Sequence, residues 1–268
     1  MKRLRVLAIV WASCLLSPVR AQQLSPQPIG QPGSWRLAFD DDFDGARLDT
    51  TKWRPNWLGS DDKAVTKPVN AEEVSCYDPS QIRQEGGELL LVAEARACAN
   101  WDYASGLVHT DRRFNFVYGY AEARMWMPDG VGVWPAFWLN GQRNPLDGEI
   151  DVVEASGTDV GRYHFHYQCG DKRCSPGGTA PVAGATSGWH TYAVRWSRGS
   201  IEWYYDGIQV YARQDDVPTV PHYLVVNLGL RKGPKGYTLP ATLRVDYVRV
   251  WQQQLPAAGL VARPAKEP

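Results

Sequence analysis

The chain has 268 residues, with 29 basic and 29 acidic side chains, and 44% of its residues are hydrophobic. This length suits one large domain with a sizeable core, and two full domains would be cramped. The balanced charge and the lack of a basic run exclude nucleic acid and anionic lipid as predicted partners.

Residues 1–21 have the pattern of a secretory signal peptide. Three of the first five residues are basic, and the apolar run that follows is too short to span a membrane. Cleavage after Ala21 predicts a secreted protein, periplasmic or extracellular, that has no membrane attachment. An uncleaved anchor helix and a lipoprotein signal at Cys14 are the alternatives. Removing the signal takes four basic residues and no acidic one, so the mature chain is acidic by about four charges.

Short strands dominate the rest of the chain. Residues 22–34 and 253–268, rich in Pro, predict flexible flanking segments, and residues 35–252 form the predicted domain. Within that domain, alternating or β-branched and aromatic stretches are separated by Gly-rich turns, and no long stretch has a capped helical period. In chain order the predicted strands are EGGELLLVAEAR at 85–96, FVYGYAEARMWM at 116–127, WHTYAVRW at 189–196, SIEWYYDGIQVYA at 200–212, YLVVNLGL at 223–230 and TLRVDYVRVW at 242–251. This pattern predicts an all-β antiparallel sandwich or jelly roll.

The cysteines indicate disulfides. Four remain after signal cleavage, an even number in an oxidising compartment. Of the three possible pairings, Cys76 with Cys98 and Cys169 with Cys174 is favoured, because the second pair closes the short polar loop CGDKRC. A zinc site is the weaker alternative, since the sequence holds no C-x-x-C pair.

The stretch GEIDVVEAS at 148–156 places three carboxylates within six residues. Side chains in a strand alternate between faces, so Glu149 and Asp151 share one face and Glu154 has the opposite parity. A β-bulge would absorb one residue and return Glu154 to the face of the other two. We assign the extra residue to Val153. The residues facing the core would then be Ile150 and Val152.

Three carboxylates on one face predict glycoside hydrolysis. Like charges held close together raise the pKa of at least one of them, which gives a proton-holding acid beside an ionised neighbour. A retaining glycosidase uses such a pair as nucleophile and acid/base, with the carboxyl groups about 5–5.5 Å apart. Asp151, between the glutamates, could hold the nucleophile by hydrogen bonding. The spacing alone leaves open which glutamate attacks.

At this motif the sequence resembles glycoside hydrolase family 16, in its laminarinase-like subgroup with the pattern E-x-D-x-x-E. Six further matches follow the order of that family: YGYAEAR at 118–124, VWPAFW at 133–138, GWHTY at 188–192, YDG at 205–207, VNL at 226–228 and VDYVRV at 245–250. The resemblance implies a concanavalin-like β-sandwich (jelly roll) of two antiparallel sheets with a concave cleft. It also implies that Glu149 is the nucleophile, Asp151 the assisting acid and Glu154 the acid/base, with no cofactor required for catalysis.

The resemblance predicts a monomeric endo-glycosidase acting on a β-linked polysaccharide, with β-1,3(4)-glucan the favoured substrate. The chain has Glu72 and Glu73 where many members of the family have an Asn-Glu pair, so the reaction is predicted more firmly than the glycan. A bacterial exopolysaccharide or a galactan is the alternative substrate. A non-catalytic lectin-like module and a metal cluster built from the three carboxylates are the alternative functions.

Five further residues are candidates for binding the sugar chain. Trp134 and Trp138 have the same parity and could stack on sugar rings. His164 and His166 also share a face, and Asn227 is an amide in an otherwise apolar strand. Each of the five has a structural alternative, in which it packs in the core or pairs with a neighbour.

The resemblance also suggests a structural calcium ion. In the family, an acid near the N-terminal Asp-Glu-Phe pattern and an Asp in the last strand hold Ca²⁺ together with backbone carbonyls, and Asp42 and Asp246 occupy those places. Oxygen ligands suit calcium. The alternative is that both are ordinary exposed aspartates.

Overall fold

The computed structural model describes residues 25–143, 146–155, 162–165, 167–168, 178–181, 188–214 and 217–254, without side chains between 162 and 181. The predicted signal peptide, most of the C-terminal tail, His166, Cys169 and Cys174 lie outside these residues. The elements are β1 (Trp35–Asp41), β2 (Ser75–Tyr77), a 3-10 helix (Pro79–Gln81), β3 (Ile82–Glu85), β4 (Glu88–Ala93), β5 (Tyr103–Ser105), β6 (Leu107–His109), β7 (Gly119–Trp126), β8 (Val133–Gly141), β9 (Glu149–Glu154), β10 (Arg162–Phe165), β11 (Tyr167–Gln168), β12 (Gly178–Pro181), β13 (His190–Ser197), β14 (Ser200–Tyr205), β15 (Ile208–Arg213), β16 (His222–Leu230) and β17 (Ala241–Gln253).

Two antiparallel sheets form the sandwich. The eight-stranded sheet has the order β15-β14-β13-β7-β17-β4-β3, and β1 also pairs with β17. The seven-stranded sheet has the order β12-β10-β9-β8-β16-β6, and β11 also pairs with β9. A short parallel pair, β2 and β5, lies apart from both sheets. The predicted all-β jelly roll of two antiparallel sheets is confirmed.

The six stretches predicted as strands are all strands in the structure. The predicted stretch 85–96 begins at a hairpin turn and contains β4. Gly86 and Gly87 turn the chain between β3 and β4 with φ of 63° and 78°. Asp206 and Gly207 do the same between β14 and β15, with φ of 48° and 75°. Positive φ at both central residues is the requirement of the hairpin turn whose twist matches the strands, and Asp-Gly meets it at low cost.

The main core lies between the two sheets. Alternate residues of β7, β13 and β17 meet alternate residues of β8, β9 and β16 in one cluster that includes Ala123, Val194, Val250, Phe137 and Leu224. The other face of the seven-stranded sheet, called the cleft face here, carries the side chains of opposite parity. Part of it is covered by a second cluster of Trp57, Tyr77, Leu107, Ala136, Trp138, Tyr223 and Val225.

Residues 25–34, predicted as part of a flexible flank, lie against the outer face of the eight-stranded sheet. The indole N–H of Trp251 donates to the carbonyl of Pro26 at 2.7 Å, and the backbone N–H of Gln254 donates to the carbonyl of Ser34 at 2.8 Å. Gly30 lies so close to Gly207 that an added Cβ would come within 2.5 Å of its carbonyl oxygen. Within the described ranges, no helix is long and apolar enough to cross a membrane.

Candidate active site

Strand β9 contains a bulge, one residue earlier than the sequence suggested. Asp151 lies opposite Trp138 and Val153 lies opposite Phe137, so Val152 is the residue without a partner in the register. The assignment of the extra residue to Val153 was therefore wrong. Both valines are buried, with 1% and 0% exposure, so burial does not distinguish them and only the strand register does.

The bulge turns all three acids to one side. Glu149, Asp151 and Glu154 line a single cavity on the cleft face, whereas Ile150, Val152 and Val153 belong to the core between the sheets. Asp151 is almost completely buried, at 2% exposure, and the two glutamates are partly buried. The backbone is held from the core side, where the indole N–H of Trp203 donates to the carbonyl of Asp151 at 2.7 Å.

Trp134 contacts one of the carboxylates directly. Its indole N–H donates to Oε1 of Glu154 at 3.0 Å, and the guanidinium of Arg231 lies over its ring, 5.1 Å from the centroid. The side chain is partly buried and lines the cavity. This hydrogen bond fixes the direction in which the carboxyl group of Glu154 points.

Trp138 and Asn227 form part of the cavity floor. The indole N–H of Trp138 donates to Oδ1 of Asn227 at 2.8 Å, and Nδ2 of Asn227 donates to the hydroxyl of Tyr77 at 3.0 Å. Trp138 is only 5% exposed, and its ring packs against Trp57 at 5.5 Å between centroids. Both predicted residues therefore line the cavity, but the amide of Asn227 is already bonded at both ends by neighbours.

Glu73 is a fourth carboxyl group in the same cavity, and the sequence reasoning did not identify it as a site residue. The hydroxyl of Tyr77 donates to its Oε2 at 2.7 Å, so a continuous hydrogen-bonded chain runs from Trp138 through Asn227 and Tyr77 to Glu73. Burial, with a smaller contribution from the nearby charge of Glu154, raises the pKa of Glu73 to about 7 against the opposing hydrogen bond from Tyr77. The one sequence signal was its place in the segment that departs from the family pattern.

The side chains that line this cavity are either acidic or neutral. It consists of Val69, Asn70, Glu73, Trp134, Ala136, Trp138, Glu149, Asp151, Glu154 and Asn227. Four carboxyl groups and no basic side chain are present among these described residues. Such a surface repels a polyanion and accepts a neutral chain, whose hydroxyl groups can bond to carboxylate and amide oxygens.

A disulfide fixes the segment that carries Tyr77. Cys76 and Cys98 are bonded, with their Cα atoms 6.1 Å apart, which confirms that predicted pairing. Cys76 lies in β2 beside Ala104 of β5. The pairing of Cys169 with Cys174 falls outside the described residues and stays a prediction.

Of the two candidate histidines, one lies within the described residues. His164 lies in β10 with its backbone opposite Glu154, next to the carboxylate strand, and its side chain is not described. His166 falls outside the described residues. A role for either in binding sugar stays a prediction.

The two candidate calcium ligands do not fit a calcium site as they are arranged. Asp42 is hydrogen-bonded to the guanidinium of Arg249, and Asp246 is bonded to Arg124 at 2.8 Å. An arginine cation at each carboxylate competes with a metal ion for the same oxygen atoms. Among the described residues, no group of three or more His, Cys, Asp or Glu side chains is arranged to hold a metal.

The chain is similar in sequence to known proteins. The family model described as glycosyl hydrolases family 16 matches residues 70–248. A glucan endo-1,3-beta-glucosidase A1 from Niallia circulans is 30% identical over 258 residues, covering 81% of this chain and 38% of that protein. An endo-1,3-1,4-beta-glycanase ExsH from Rhizobium meliloti is 32% identical over 242 residues, covering 80% of this chain and 51% of that protein. The chain thus spans about 38% of the length of the first relative and about half of the second.

The fold is shared with solved structures. The laminarinase from Rhodothermus marinus superposes with a TM-score of 0.73 at 26% sequence identity, covering 84% of this chain and all of that chain. The match shows that the two-sheet sandwich is a known architecture.

Proposed function

Because the chain belongs to glycosyl hydrolases family 16, we propose that it is a secreted, retaining endo-glycosidase that hydrolyses β-1,3 linkages in a neutral β-glucan. The observation that carries this proposal is the bulge at Val152, which brings Glu149, Asp151 and Glu154 to one cavity on the cleft face. A non-catalytic lectin-like module would have no need for three carboxylates aligned in this way. Secretion is proposed from the signal-like pattern of residues 1–21.

The three carboxylates take different roles in a double displacement. Glu149 attacks the anomeric carbon while Glu154 gives its proton to the departing glycosidic oxygen, which leaves a glycosyl ester on Glu149. Glu154, now ionised, takes a proton from water, and that water releases the sugar from Glu149 with net retention. Asp151 lies between them in sequence and on the same face, where it can orient the nucleophile. Trp134 holds the carboxyl of Glu154 through its indole N–H.

The choice of a neutral polysaccharide follows from the charge of the side chains that line the cavity. A sulfated or uronic polymer would need basic side chains near the reacting sugar, and the described residues that line the cavity include none. The relatives from Niallia circulans and Rhodothermus marinus, a glucan endo-1,3-beta-glucosidase and a laminarinase, support a β-1,3-glucan. The relative from Rhizobium meliloti, a glycanase, keeps a bacterial exopolysaccharide as the second candidate.

Laminarin digestion followed by proton NMR tests the reaction and the substrate together. We expect the new reducing ends to appear first as the β-anomer and to equilibrate later to the mixture. Initial appearance of the α-anomer would contradict retention. Release of sugar from an exopolysaccharide or a galactan, with none from laminarin, would leave the mechanism intact and replace only the substrate.

Azide rescue tests the roles of the two glutamates. Glu149→Gln and Glu154→Gln should both fold and both lose hydrolysis of an activated aryl β-glucoside. Azide should then give the α-glycosyl azide with the first variant and the β-glycosyl azide with the second, because azide replaces the nucleophile in one case and the water in the other. Near-native activity in Glu149→Gln would show that the nucleophile assignment is wrong.

A further inference from the structure

Arg231 lies at the rim of the cavity that holds the three carboxylates. It directly follows β16, and its guanidinium lies over the ring of Trp134, 5.1 Å from the centroid. The indole N–H of the same tryptophan donates to Oε1 of Glu154 at 3.0 Å. A single ring therefore joins Arg231 to the carboxyl group that protonates the departing oxygen in the proposed reaction.

The backbone of Arg231 is held by several neighbours. Its N–H donates to the carbonyl of Gly132 at 2.8 Å, and its carbonyl accepts from the hydroxyl of Tyr237 at 3.1 Å. An isolated bridge also joins it to Glu73 in the segment before β2. These bonds fix the point from which the long side chain extends, so less freedom is lost when the side chain binds a ligand.

The guanidinium of Arg231 is available to a ligand. The residue is exposed, and within the part of the chain that the structure describes its side chain has no carboxylate partner. A guanidinium carries five N–H donors in a flat fork and keeps its charge at neutral pH. Contact with the ring of Trp134 uses none of these donors, so hydroxyl oxygens of a sugar can accept from them. One face of the ring, which the sequence suggested for stacking on sugar, holds the arginine instead.

We propose that Arg231 is a specificity-determining residue that binds hydroxyl groups of the departing sugar. That sugar carries the oxygen that Glu154 protonates, so it lies beside Glu154 and beside the tryptophan bonded to it. A polysaccharide is longer than the cavity, and the sugars next to the cleaved bond therefore contact its rim, where Arg231 lies. This inference rests on the proposed function and deepens it, because it names the side of the cleaved bond that a charged donor recognises.

Transfer to a sugar acceptor tests this binding site separately from the acid/base. An activated aryl β-glucoside forms the glycosyl ester on Glu149, which then reacts either with water or with added laminaribiose, a β-1,3-linked glucose disaccharide. In transfer, an acceptor hydroxyl gives its proton to Glu154, its oxygen bonds to the anomeric carbon, and the ester bond to Glu149 breaks. The acceptor must occupy the place of the departing sugar, because the second step retraces the first.

The measured quantity is the ratio of transfer product to hydrolysis product at an acceptor concentration below saturation. Water and acceptor both need Glu154 as the base, so damage to Glu154 slows the two routes equally and leaves the ratio unchanged. The ratio falls only when the acceptor is bound less well. A purely structural role of Arg231, exerted through Trp134, would therefore not change it.

Three variants separate these effects. Arg231→Gln should lower the ratio about tenfold, because hydrogen bonds from a charged donor to the acceptor are lost. Lys235→Gln, which removes another exposed cation of the same loop, is the matched control and should leave the ratio unchanged. Trp134→Phe keeps an aromatic ring for Arg231 but removes the bond to Glu154, so it should slow both routes without changing the ratio.

An unchanged ratio in Arg231→Gln would overturn the proposal, even if both routes became slower. An equal fall in Lys235→Gln, or the absence of transfer in the wild type, would overturn it as well. Failure of the wild type to turn over any aryl glycoside or glycan would instead refute the proposed function, and this inference with it.

Discussion

Replacing Glu122 by Gln should remove a loss of stability that the wild-type protein undergoes as the pH rises through neutrality. The side chain of Glu122 is 1% exposed, and the hydroxyl of Tyr247 donates to its Oε1 at 2.8 Å. Its Oε2 has no hydrogen-bond partner among the described residues. Burial raises the pKa of this carboxyl from 4.5 to about 7, because an ionised group here is separated from water.

The sign of the effect follows from proton linkage. The pKa is higher in the folded chain than in the unfolded one, so between pH 4.5 and about 7 the folded state binds more protons, and the free energy of unfolding falls as the pH rises. Each pKa unit corresponds to 1.36 kcal/mol, so a difference of about 2.5 amounts to roughly 3 kcal/mol by pH 8. Glutamine cannot ionise and should show none of this loss.

Urea unfolding at pH 5 and at pH 8 measures the difference directly. Between these two conditions the free energy of unfolding should fall by roughly 2.5 kcal/mol more in the wild type than in Glu122→Gln, because part of the effect is already present at pH 5. Glu85→Gln, at an exposed position beside the turn between β3 and β4, is the control and should behave as the wild type. Equal pH dependence in the wild type and Glu122→Gln would refute the reasoning, because it would show that Glu122 is already ionised in the folded protein at pH 5.

Three further outcomes are expected. Trp134→Phe, which removes the indole N–H from Glu154, should lower kcat/KM on laminarin about tenfold or more, whereas Trp126→Phe on the other sheet should not. Asn227→Ala leaves the Trp138 indole and the Tyr77 hydroxyl short of a partner, so chemical denaturation should show a stability loss of about 1–3 kcal/mol. Treatment with EDTA should leave the midpoint of thermal unfolding unchanged, because Asp42 and Asp246 are bonded to arginines. A large fall in the midpoint would instead support a bound calcium ion.

The sequence predicted the strands because their signal is local. The alternation of side chains along 200–212 and the turn at Asp206 and Gly207 each lie within a few residues. Together they correspond to the hairpin of β14 and β15. The order of the strands in the sheets came from no local signal. It follows from long-range pairing such as β8 with β16, which joins parts of the chain about 90 residues apart.

The carboxylate motif could be predicted from the sequence because its three acids lie within one strand, where the alternation of side chains decides which of them share a face. The hydrogen-bonded chain from Trp138 to Glu73 could not be predicted from the sequence. Its members lie on β8, β16, β2 and the loop before β2, which are far apart along the sequence. Glu73 looked like one of two adjacent acids in a polar loop, and only the folded chain shows which of them enters the cavity. Asp42 and Asp246 show the opposite case, because carboxylates that suggest a metal site equally suit arginine partners from neighbouring strands, and the calcium ion stays a prediction.

Deleting one valine from the bulge tests the geometry on which the active site depends. Removal of Val152 or of Val153 gives the same chain, with the motif Glu-Ile-Asp-Val-Glu, in which the three acids share one parity without a bulge. The variant should fold with its acids still facing the cavity. Loss of one buried valine should cost about 1.5–3 kcal/mol, and hydrolysis of laminarin should persist at a reduced rate.

The matched control is deletion of Ile150, which also shortens β9 by one buried apolar residue. There the aspartate would directly follow Glu149, so the nucleophile and the other two acids would point to opposite faces, and either activity or folding should be lost. Equal activity in the two deletions would contradict the parity argument. So would a valine deletion that folds, binds laminarin and hydrolyses none of it, because the extra residue would then be doing more than restoring the face of Glu154.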